Sequence, residues 1–408
     1  MLTHVPLSPD YPNGFSERWH SFLTALGGSF ALDVIGVRGV WDQGQVPQET
    51  FVPHDLGAVR VRLLDAIRPA SPPKAVLRVV RSLLSLLRMD RFGPVVPGLA
   101  PALAADPPPA LIVAFLHHMA EHVLDAGCPA PTVFVLEEGI ERLLPHARPR
   151  ELAMGPLKQL WKFCFWRAYH VRLNAFARAI VRGCARRGRI VAINEVEARA
   201  FARAAPGAAI GIAPMGVDVD AYAPQSAAEE FDAAVFGDLS LRHNYEPARE
   251  LFEDVSALPG GAALRWAFVG REPHASIRAL ASDRVTVTGR VADTRPYYAR
   301  TRVVVVPTRH VTGSKSTLVK ACSMARPAVV TAAGLSGLPL QDGRDVVAAS
   351  GREDLARQVM VLLRDEAGRR RLGAAARATI VRACNQAESS RRFAEICRDA
   401  VVTPLGVD

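Results

Sequence analysis

The chain has 408 residues, of which 49% are hydrophobic and 22% charged, and its formal net charge is +10. The length suffices for two domains with separate cores, and the composition excludes a disordered or fibrous protein. No apolar run reaches the roughly 20 residues of a membrane span, and the start, MLTHVPLSPDYPNG, lacks a signal-peptide pattern. The six cysteines are scattered without a CxxC pair, which indicates a reducing cytoplasm without disulfides or a zinc cluster.

The excess of basic residues favours anionic partners such as nucleotides, phospholipid surfaces, acidic glycans or nucleic acid. Part of it is the bias of an Ala-, Arg- and Gly-rich chain, as a GC-rich genome produces. The sequence has no zinc-finger spacing, no RRM-like aromatic motif and no heptad-backed basic region. We therefore expect no nucleic-acid partner.

The first half of the chain, to about residue 211, predicts short strands separated by helices. Periodicity places strands at 30–36, 110–116, 132–136 and 190–193, and helices at 15–26 and 75–88. Pro-rich linkers are expected at 69–74 and 94–109.

From residue 231 onward the pattern becomes regular. Val-rich runs (AAVFGDL, LRWAFVG, VTVTG, VVVVP, PAVVT and DVVAA) alternate with helices predicted at 245–258, 274–280, 294–300, 316–325 and 352–363. Unbroken apolar strands between amphipathic helices indicate a parallel sheet covered on both faces, which is a doubly wound α/β domain. The segment 211–224 is the predicted linker between the halves, and 385–401 predicts one further helix.

In such a sheet, ligands bind beyond the carboxyl ends of the strands. Glycine follows four of the predicted strands, at Gly237, Gly270, Gly289 and Gly334. A residue without a side chain lets the backbone approach a ligand closely, so these exits are the candidate binding loops.

The loop Thr312-Gly313-Ser314-Lys315-Ser316-Thr317 runs directly into a predicted helix. A helix start offers free N–H groups and a positive dipole end, which suit a diphosphate. Ser314 or Ser316 can cap this helix, and Lys315 and Arg242 can add charge-assisted bonds to the same phosphates. A capped helix with solvated Lys and Arg side chains is the alternative. The loop lacks the GxxxxGK[ST] pattern of a Walker A motif.

Several segments together resemble glycosyltransferase family 4, a group with the GT-B fold. They are VFGDLSLRHNYEPARELF, AFVGREP and the stretch from VTVTGRVADTRPYYAR to GRDVVAA. The bacterial members that look most similar carry a G-x-x-R-P-N turn and a G-G-x-R-x-K-x-L-E block. IAPMGVDVDAYAP is similar to the family's interdomain segment, and RIVAINEVEARAF to one of its strand–helix units. The resemblance covers roughly residues 110–400.

The resemblance implies two Rossmann-like domains facing each other across a cleft. Their predicted bounds are 1–211 for the acceptor-binding domain and 212–384 for the nucleotide-sugar-binding domain. The tail, 385–408, would cross back to the first domain. The implied reaction is retaining sugar transfer without an obligate metal or cofactor, to a glycan, lipid-linked or small-molecule acceptor.

Site residues follow from the same resemblance. Arg242 and Lys315 would bind the donor diphosphate and stabilise its departure, with Gly237 at the first strand exit and helix-start contacts from Gly313 to Thr317. Arg271 and Arg290 would flank the nucleobase. His117 or His118 would act from the first domain, although packing is the alternative for this pair. The turn at 13–15 is a poor match to the family's N-terminal glycine turn.

Two positions depart from the family pattern. Glutamates that the family usually carries eight residues apart are replaced by Thr312 and Lys320. A carboxylate accepts hydrogen bonds from ribose hydroxyls, whereas an ammonium group only donates. Either the donor or its binding mode is unusual, or the protein is an inactive homologue that serves as partner of an active transferase. A sugar epimerase or pseudo-glycosyltransferase is a third reading.

A basic stretch at 157–189 is the last feature. No acidic residue lies between Glu151 and Glu195, while nine Lys and Arg residues and six aromatic residues do. A long amphipathic helix of this kind can lie on an anionic membrane, whereas packing against the first sheet is the alternative. Glu137, Glu138 and Glu141 follow TVFVL and could orient an acceptor hydroxyl, or favour a helix start.

Overall fold

The computed structural model describes residues 2–3, 14–38, 60–65, 96, 98–104, 107–136, 156–309 and 315–403. The chain divides into two compact units. Unit 1 comprises Met1–Pro214 together with Ser390–Asp408, and unit 2 comprises Met215–Ser389.

Unit 1 contains seven parallel strands among its described residues. They are β1 (Leu2–Thr3), β2 (Asp33–Arg38), β3 (Arg60–Asp65), β4 (Ile112–Phe115), β5 (Thr132–Leu136), β6 (Gly188–Ala192) and β7 (Ile210–Ile212). The helices are α1 (Gly14–Gly27), α2 (Leu99–Leu103), α3 (His117–Ala126), α4 (Pro156–Arg187) and α5 (Glu195–Ala204). The sheet order is β3-β2-β1-β4-β5-β6-β7, with apolar cores on both faces.

Unit 2 repeats the alternation of strand and helix. Its strands are β8 (Phe231–Phe236), β9 (Trp266–Val269), β10 (Val285–Gly289), β11 (Thr301–Val306), β12 (Ala328–Thr331) and β13 (Val347–Ala349). Its helices are α6 (Arg242–Ser256), α7 (Ala275–Arg278), α8 (Arg295–Ala299), α9 (Ser316–Ser323), α10 (Ala332–Leu335), α11 (Arg352–Arg364) and α12 (Glu366–Ala383). The order β10-β9-β8-β11-β12-β13 is fully parallel.

The Val-rich runs are strands because both of their faces are covered. Every residue of β8 and β9 is buried, and helices pack on each side of the sheet. A strand without a solvent face has no polar alternation, which is the pattern of the sequence. The predicted fold class, α/β with two Rossmann-like domains, is confirmed.

One helix of unit 2 escapes the sequence prediction. α12 follows α11 after a single residue, Asp365, whose carboxylate accepts a hydrogen bond from the Gly368 N–H at 2.8 Å. The buried face of α12 contains small residues such as Gly373 and Ala376. Because these residues carry little apolar signal, the periodicity of an amphipathic helix is weak in this segment.

The predicted linker at 211–224 begins later in the structure, because Gly211 lies within β7. Unit 2 starts at Met215. Val217 pairs with Asn385, close to the point where the chain passes from unit 2 back to unit 1. The Val217 N–H donates to the Cys384 carbonyl at 2.8 Å, and the Gln386 N–H donates to the Val217 carbonyl at 3.0 Å.

The last helix, α13 (Gln386–Val402), belongs mostly to unit 1. Phe393 stacks on Phe22 of α1, with ring centroids 4.2 Å apart. Cys397 is buried in the same core cluster. The described helices include none that is both long enough and apolar enough to span a bilayer.

Candidate functional site

The sheet of unit 2 changes its winding direction between β8 and β11, which are neighbours in the sheet but not in the sequence. The chain leaves these strands toward opposite edges, so a crevice opens beyond their carboxyl ends. Gly237 follows β8 and Pro307 follows β11. The residues around these two exits form the candidate site of unit 2.

Two glycines bring neighbouring strand exits into direct backbone contact. Gly237 has φ 147° and Gly270, after β9, has φ 156°. A β carbon on Gly270 would lie 1.6 Å from the Gly237 carbonyl oxygen. Only glycine fits such an approach, and the result is a surface of bare backbone beside the switch point.

Asp238 connects the exits of β8 and β9 through its side chain. Its Oδ2 atom lies 2.5 Å from Arg271 Nη2, and its Oδ1 atom accepts a hydrogen bond from Ser240 Oγ at 2.6 Å. The Leu239 N–H also donates to the Arg271 carbonyl at 3.1 Å. Arg271 is thus held at the exit, where its side chain is 41% exposed.

Arg242 is the first residue of α6 and is exposed. Its Nε atom donates to Glu246 Oε1 at 2.6 Å, one helical turn away. This hydrogen bond and the charge of Glu246 raise the pKa of Arg242 above its already high value. An anionic ligand that binds Arg242 therefore competes with Glu246 for the guanidinium group.

The start of α9 is the predicted diphosphate site. Lys315 precedes this helix, and its ammonium group donates to the Ser336 carbonyl at 2.7 Å. No side chain caps the helix start among the described residues, and Ser316 and Thr317 are half-buried in its first turn. Thr312, Gly313 and Ser314 lie outside the described residues, as do 13, 137, 138 and 141.

Lys320 lies one turn after Ser316, as the helical spacing predicts. Its ammonium group is 5.0 Å from the centroid of the Tyr222 ring. The hydrogen bond from Arg295 lowers the pKa of Asp293, and the positive charge of Lys320 acts in the same direction. Lys320 therefore lies near both Tyr222 and Asp293, which the sequence analysis did not identify as site residues.

Gly289 is the last residue of β10 and Arg290 follows it. β10 is an edge strand separated from β8 by β9. Gly289 has φ 70°, so the turn there requires a left-handed residue. The structure thus places Gly237 and Arg271 at adjoining exits, with Arg242 at the start of the helix that follows β8. Lys315, Ser316, Thr317 and Lys320 share a second helix, and Arg290 lies at the sheet edge.

A cavity of about 250 Å³ lies beyond the carboxyl ends of β11, β12 and β13. Glu250 contributes to its wall and forms ion pairs with Arg309 and with Arg352, the latter at 2.9 Å. Burial lowers the pKa of Arg309, and the nearby charge of Arg352 acts in the same direction. Sequence reasoning did not identify this cluster, because its members come from three separate loops and helices.

In unit 1 the winding direction changes between β1 and β4. His117 begins α3 directly beyond β4, after Leu116, whose φ of 71° is rare for a residue with a side chain. His117 is 9% exposed, and burial lowers the pKa of its imidazole to about 4. The ring is therefore neutral at neutral pH, able to donate one hydrogen bond and accept another. The side chain of His118 lies outside the described residues.

Of the residues that sequence reasoning missed, Asp238 had the clearest signal. It follows Gly237 at a predicted strand end, where polar side chains meet in a parallel sheet. Ser336 contributes a backbone carbonyl, so no residue type could indicate its role. Tyr222 lies in the predicted linker, far in sequence from Lys320.

The geometry of unit 2 can be compared with known proteins. Residues 233–365 match the family model of the glycosyl transferases group 1. This segment runs from the third residue of β8 to the end of α11 and hence contains both exits of the switch point. The match supports a glycosyltransferase. No curated protein sequence matches the chain significantly.

Solved structures are similar over nearly the whole chain. A sucrose-phosphate synthase from Thermosynechococcus elongatus has a TM-score of 0.67 at 14% identity, covering 98% of both chains. HepE from Anabaena, crystallised with UDP and glucose, has a TM-score of 0.63 at 14% identity, covering 97% of this chain and 98% of the other. WaaG, a glycosyltransferase of lipopolysaccharide biosynthesis, has a TM-score of 0.56 at 13% identity, covering 97% and 98%. At such identities the likeness shows the fold, which is GT-B.

Proposed function

We propose that the protein transfers a sugar from a nucleoside diphosphate sugar to an acceptor, as a member of glycosyltransferase family 4. The observation that carries the proposal is the switch point of unit 2 within a segment that matches the group 1 transferases. Bare backbone, Arg271 and the α6 and α9 helix starts surround the carboxyl edge there. HepE, a structural neighbour, binds UDP-glucose in its crystals, so UDP-hexoses are the first donors to test.

In the proposed reaction the bond between the sugar C1 and the diphosphate oxygen breaks, and C1 forms a bond to an acceptor oxygen. The acceptor proton passes to the leaving phosphate, which gives retention without a protein base. Lys315, Arg242 and the N–H groups of the α9 start would stabilise the developing charge. No metal ion is needed for this role, because the cations are side chains.

Unit 1 would hold the acceptor, and unit 2 would hold the donor. His117 suits a position near the reacting groups, since its neutral imidazole lies at the switch point of the first sheet. A glycan, a lipid-linked glycan and a small molecule all offer hydroxyls that such a group can bind. We expect the reaction to take place in the cytoplasm, where nucleotide sugars are made.

The first experiment is thermal denaturation with UDP, GDP, TDP and CDP, each with and without its sugar. A rise in melting temperature with one nucleotide supports the donor site, since a ligand that binds the folded state stabilises it. If no nucleotide shifts the transition, the enzyme reading fails. Donor hydrolysis or transfer with the binding nucleotide sugar then tests activity. The anomeric configuration of the product tests retention, and turnover with a chelator tests metal independence.

The second candidate function is that of an inactive homologue, favoured by one observation. Lys320 stands where the family usually has a carboxylate, and its ammonium group lies against the Tyr222 ring. An ammonium group cannot accept hydrogen bonds from ribose hydroxyls, as a carboxylate does. Nucleotide binding without transfer to any acceptor or to water would support this reading. Lys320→Glu is the decisive variant: tighter nucleoside binding would show that the customary carboxylate is missing, whereas weaker binding would assign Lys320 to the donor.

A further inference from the structure

The helix α4 carries a basic face that the transfer reaction does not use. It is 32 residues long, and the described side chains of its second half divide into two faces. The buried face contains Ile180, Val181 and Cys184 and packs in the core of unit 1. Five arginines of the helix are exposed: Arg167, Arg172, Arg178, Arg182 and Arg186.

The arginines form a continuous stripe. At 3.6 residues per turn they fall within an arc of about 140°, and from Arg167 to Arg186 they extend about 29 Å along the axis. Between them lie exposed small apolar residues, namely Ala168, Ala175 and Ala179, and Val171, which is 63% exposed. The stripe contains no carboxylate, since residues 152–194 include neither Asp nor Glu.

In the described part of the chain, neighbouring acidic groups leave four of the five arginines without an ion pair. Of the helices that the structure describes, α3 and α5 make the main contacts with α4. Glu121 of α3 and Glu197 of α5 are buried, and Asp125 and Glu195 are the exposed carboxylates of these two helices. Among the described residues, no ion pair is formed by Arg167, Arg172, Arg182 or Arg186. Arg182 donates to the Arg178 carbonyl at 3.2 Å on its own helix.

We propose that this arginine face of α4 binds the surface of an anionic lipid bilayer. Guanidinium groups on long stems reach lipid phosphates, while the apolar residues between them enter the interface. The exposed face of a helix is convex and can lie on a plane. It offers neither a groove for a nucleic-acid backbone nor, among its described exposed residues, an aromatic ring on which a base could stack. The proposal does not rest on the transfer reaction.

Membrane binding would select the acceptor. A protein held on a bilayer by unit 1 meets lipid-linked acceptors at high local concentration. Of the three acceptor classes left open above, the lipid-linked glycan is then the one that the surface favours.

The test is cosedimentation of the full-length protein with vesicles of phosphatidylcholine alone and of phosphatidylcholine with phosphatidylglycerol. We expect binding only to the anionic vesicles, and loss of binding at high salt because screening shortens the range of the charges. Each basic residue near such a surface contributes about fivefold to binding. The triple variant Arg172→Gln, Arg182→Gln, Arg186→Gln should therefore bind on the order of 100-fold more weakly.

The matched control removes three exposed arginines from helices of unit 2: Arg364→Gln, Arg370→Gln and Arg382→Gln. It has the same net charge as the test variant and should bind vesicles as the unchanged protein does. Equal losses in both variants would overturn the proposal in favour of net charge alone. Equal binding to neutral vesicles, no binding to anionic vesicles, or binding to polyuridylate in place of vesicles would also overturn it. Unchanged circular dichroism and melting temperature show that the variants are folded.

Discussion

Gly270 lies against the carbonyl oxygen of Gly237, so closely that a β carbon on Gly270 would be 1.6 Å from that oxygen. Gly270→Ala should therefore displace the exit of β9 and lower the free energy of unfolding by roughly 2–4 kcal/mol. Gly289→Ala is the control, because Gly289 also has a positive φ but no atom within 4 Å of the added carbon. Gly289→Ala should lower the free energy of unfolding by only roughly 1–2 kcal/mol. Urea unfolding measures both, and equal losses would contradict the close approach.

The ion pair between Arg242 and Glu246 gives a prediction with opposite signs for its two members. Arg242→Gln removes a charge-assisted bond and should weaken nucleoside diphosphate binding by roughly 10-fold to 100-fold. Glu246→Gln removes the competing carboxylate and should leave binding unchanged or tighten it by up to about fivefold, the value of an exposed pair. Isothermal titration calorimetry distinguishes the two. Loss of affinity in both variants would show that the pair itself is needed.

Asp238 is expected to be a positioning residue that acts through Arg271. Asp238→Asn weakens the bond to Arg271 and should cost about 1–2 kcal/mol of stability. It should also lower nucleotide affinity. The control is Asp232→Asn at the amino end of the same strand, where Asp232 accepts from Arg302 Nη1 at 3.0 Å. Both variants should lose stability, but only Asp238→Asn should lose nucleotide affinity. Equal nucleotide affinities of the two variants would show that Asp238 contributes only to the stability of the fold.

His117 predicts a pH dependence of stability. The unfolded chain protonates this imidazole near its ordinary pKa of about 6.5, whereas burial lowers the pKa in the folded chain to about 4. Between these values the unfolded state binds more protons, so the free energy of unfolding falls as the pH falls. The full difference amounts to about 3 kcal/mol.

His117→Gln removes this contribution without removing hydrogen-bonding capacity. The stability of the variant should fall less than that of the unchanged protein between neutral pH and about pH 4.5, because only the imidazole's linkage is lost. Urea unfolding at both pH values measures the difference. Parallel losses would show that His117 is solvated in the folded state, contrary to its 9% exposure.

The sheet of unit 2 was predictable, because strands that are buried on both faces appear in the sequence as unbroken apolar runs. Val303, Val304 and Val305 are fully buried, and a short run of β-branched residues is typical of a buried strand. α12 was not predictable, because Gly373 and Ala376 pack by being small and thus carry no apolar period. The edge strand β7 of unit 1 was not predicted because it has only three residues. The other edge strand, β3, was also not predicted, although it has six residues.

The candidate site shows the same division. The sequence by itself determined which residue types follow the strands: glycines at 237, 270 and 289, and cations at 242, 271 and 315. These are local features, set by the turn from a strand into the next segment. The partner of Arg242 is Glu246, four residues later on the same helix, and it follows from helical spacing. What only the tertiary structure decided is the partners of the other cations. Asp238 faces Arg271, the Ser336 carbonyl faces Lys315, and Tyr222 faces Lys320.

These three partners lie far in sequence from the cations that they face, and one of them is a backbone atom without a residue preference. Sequence spacing cannot encode such distances, because they depend on how the strands order themselves. The basic stretch behaves likewise. The sequence determined its charge and its helical length, whereas only the packing of Ile180 and Cys184 into unit 1 decided which arginines remain exposed to a partner.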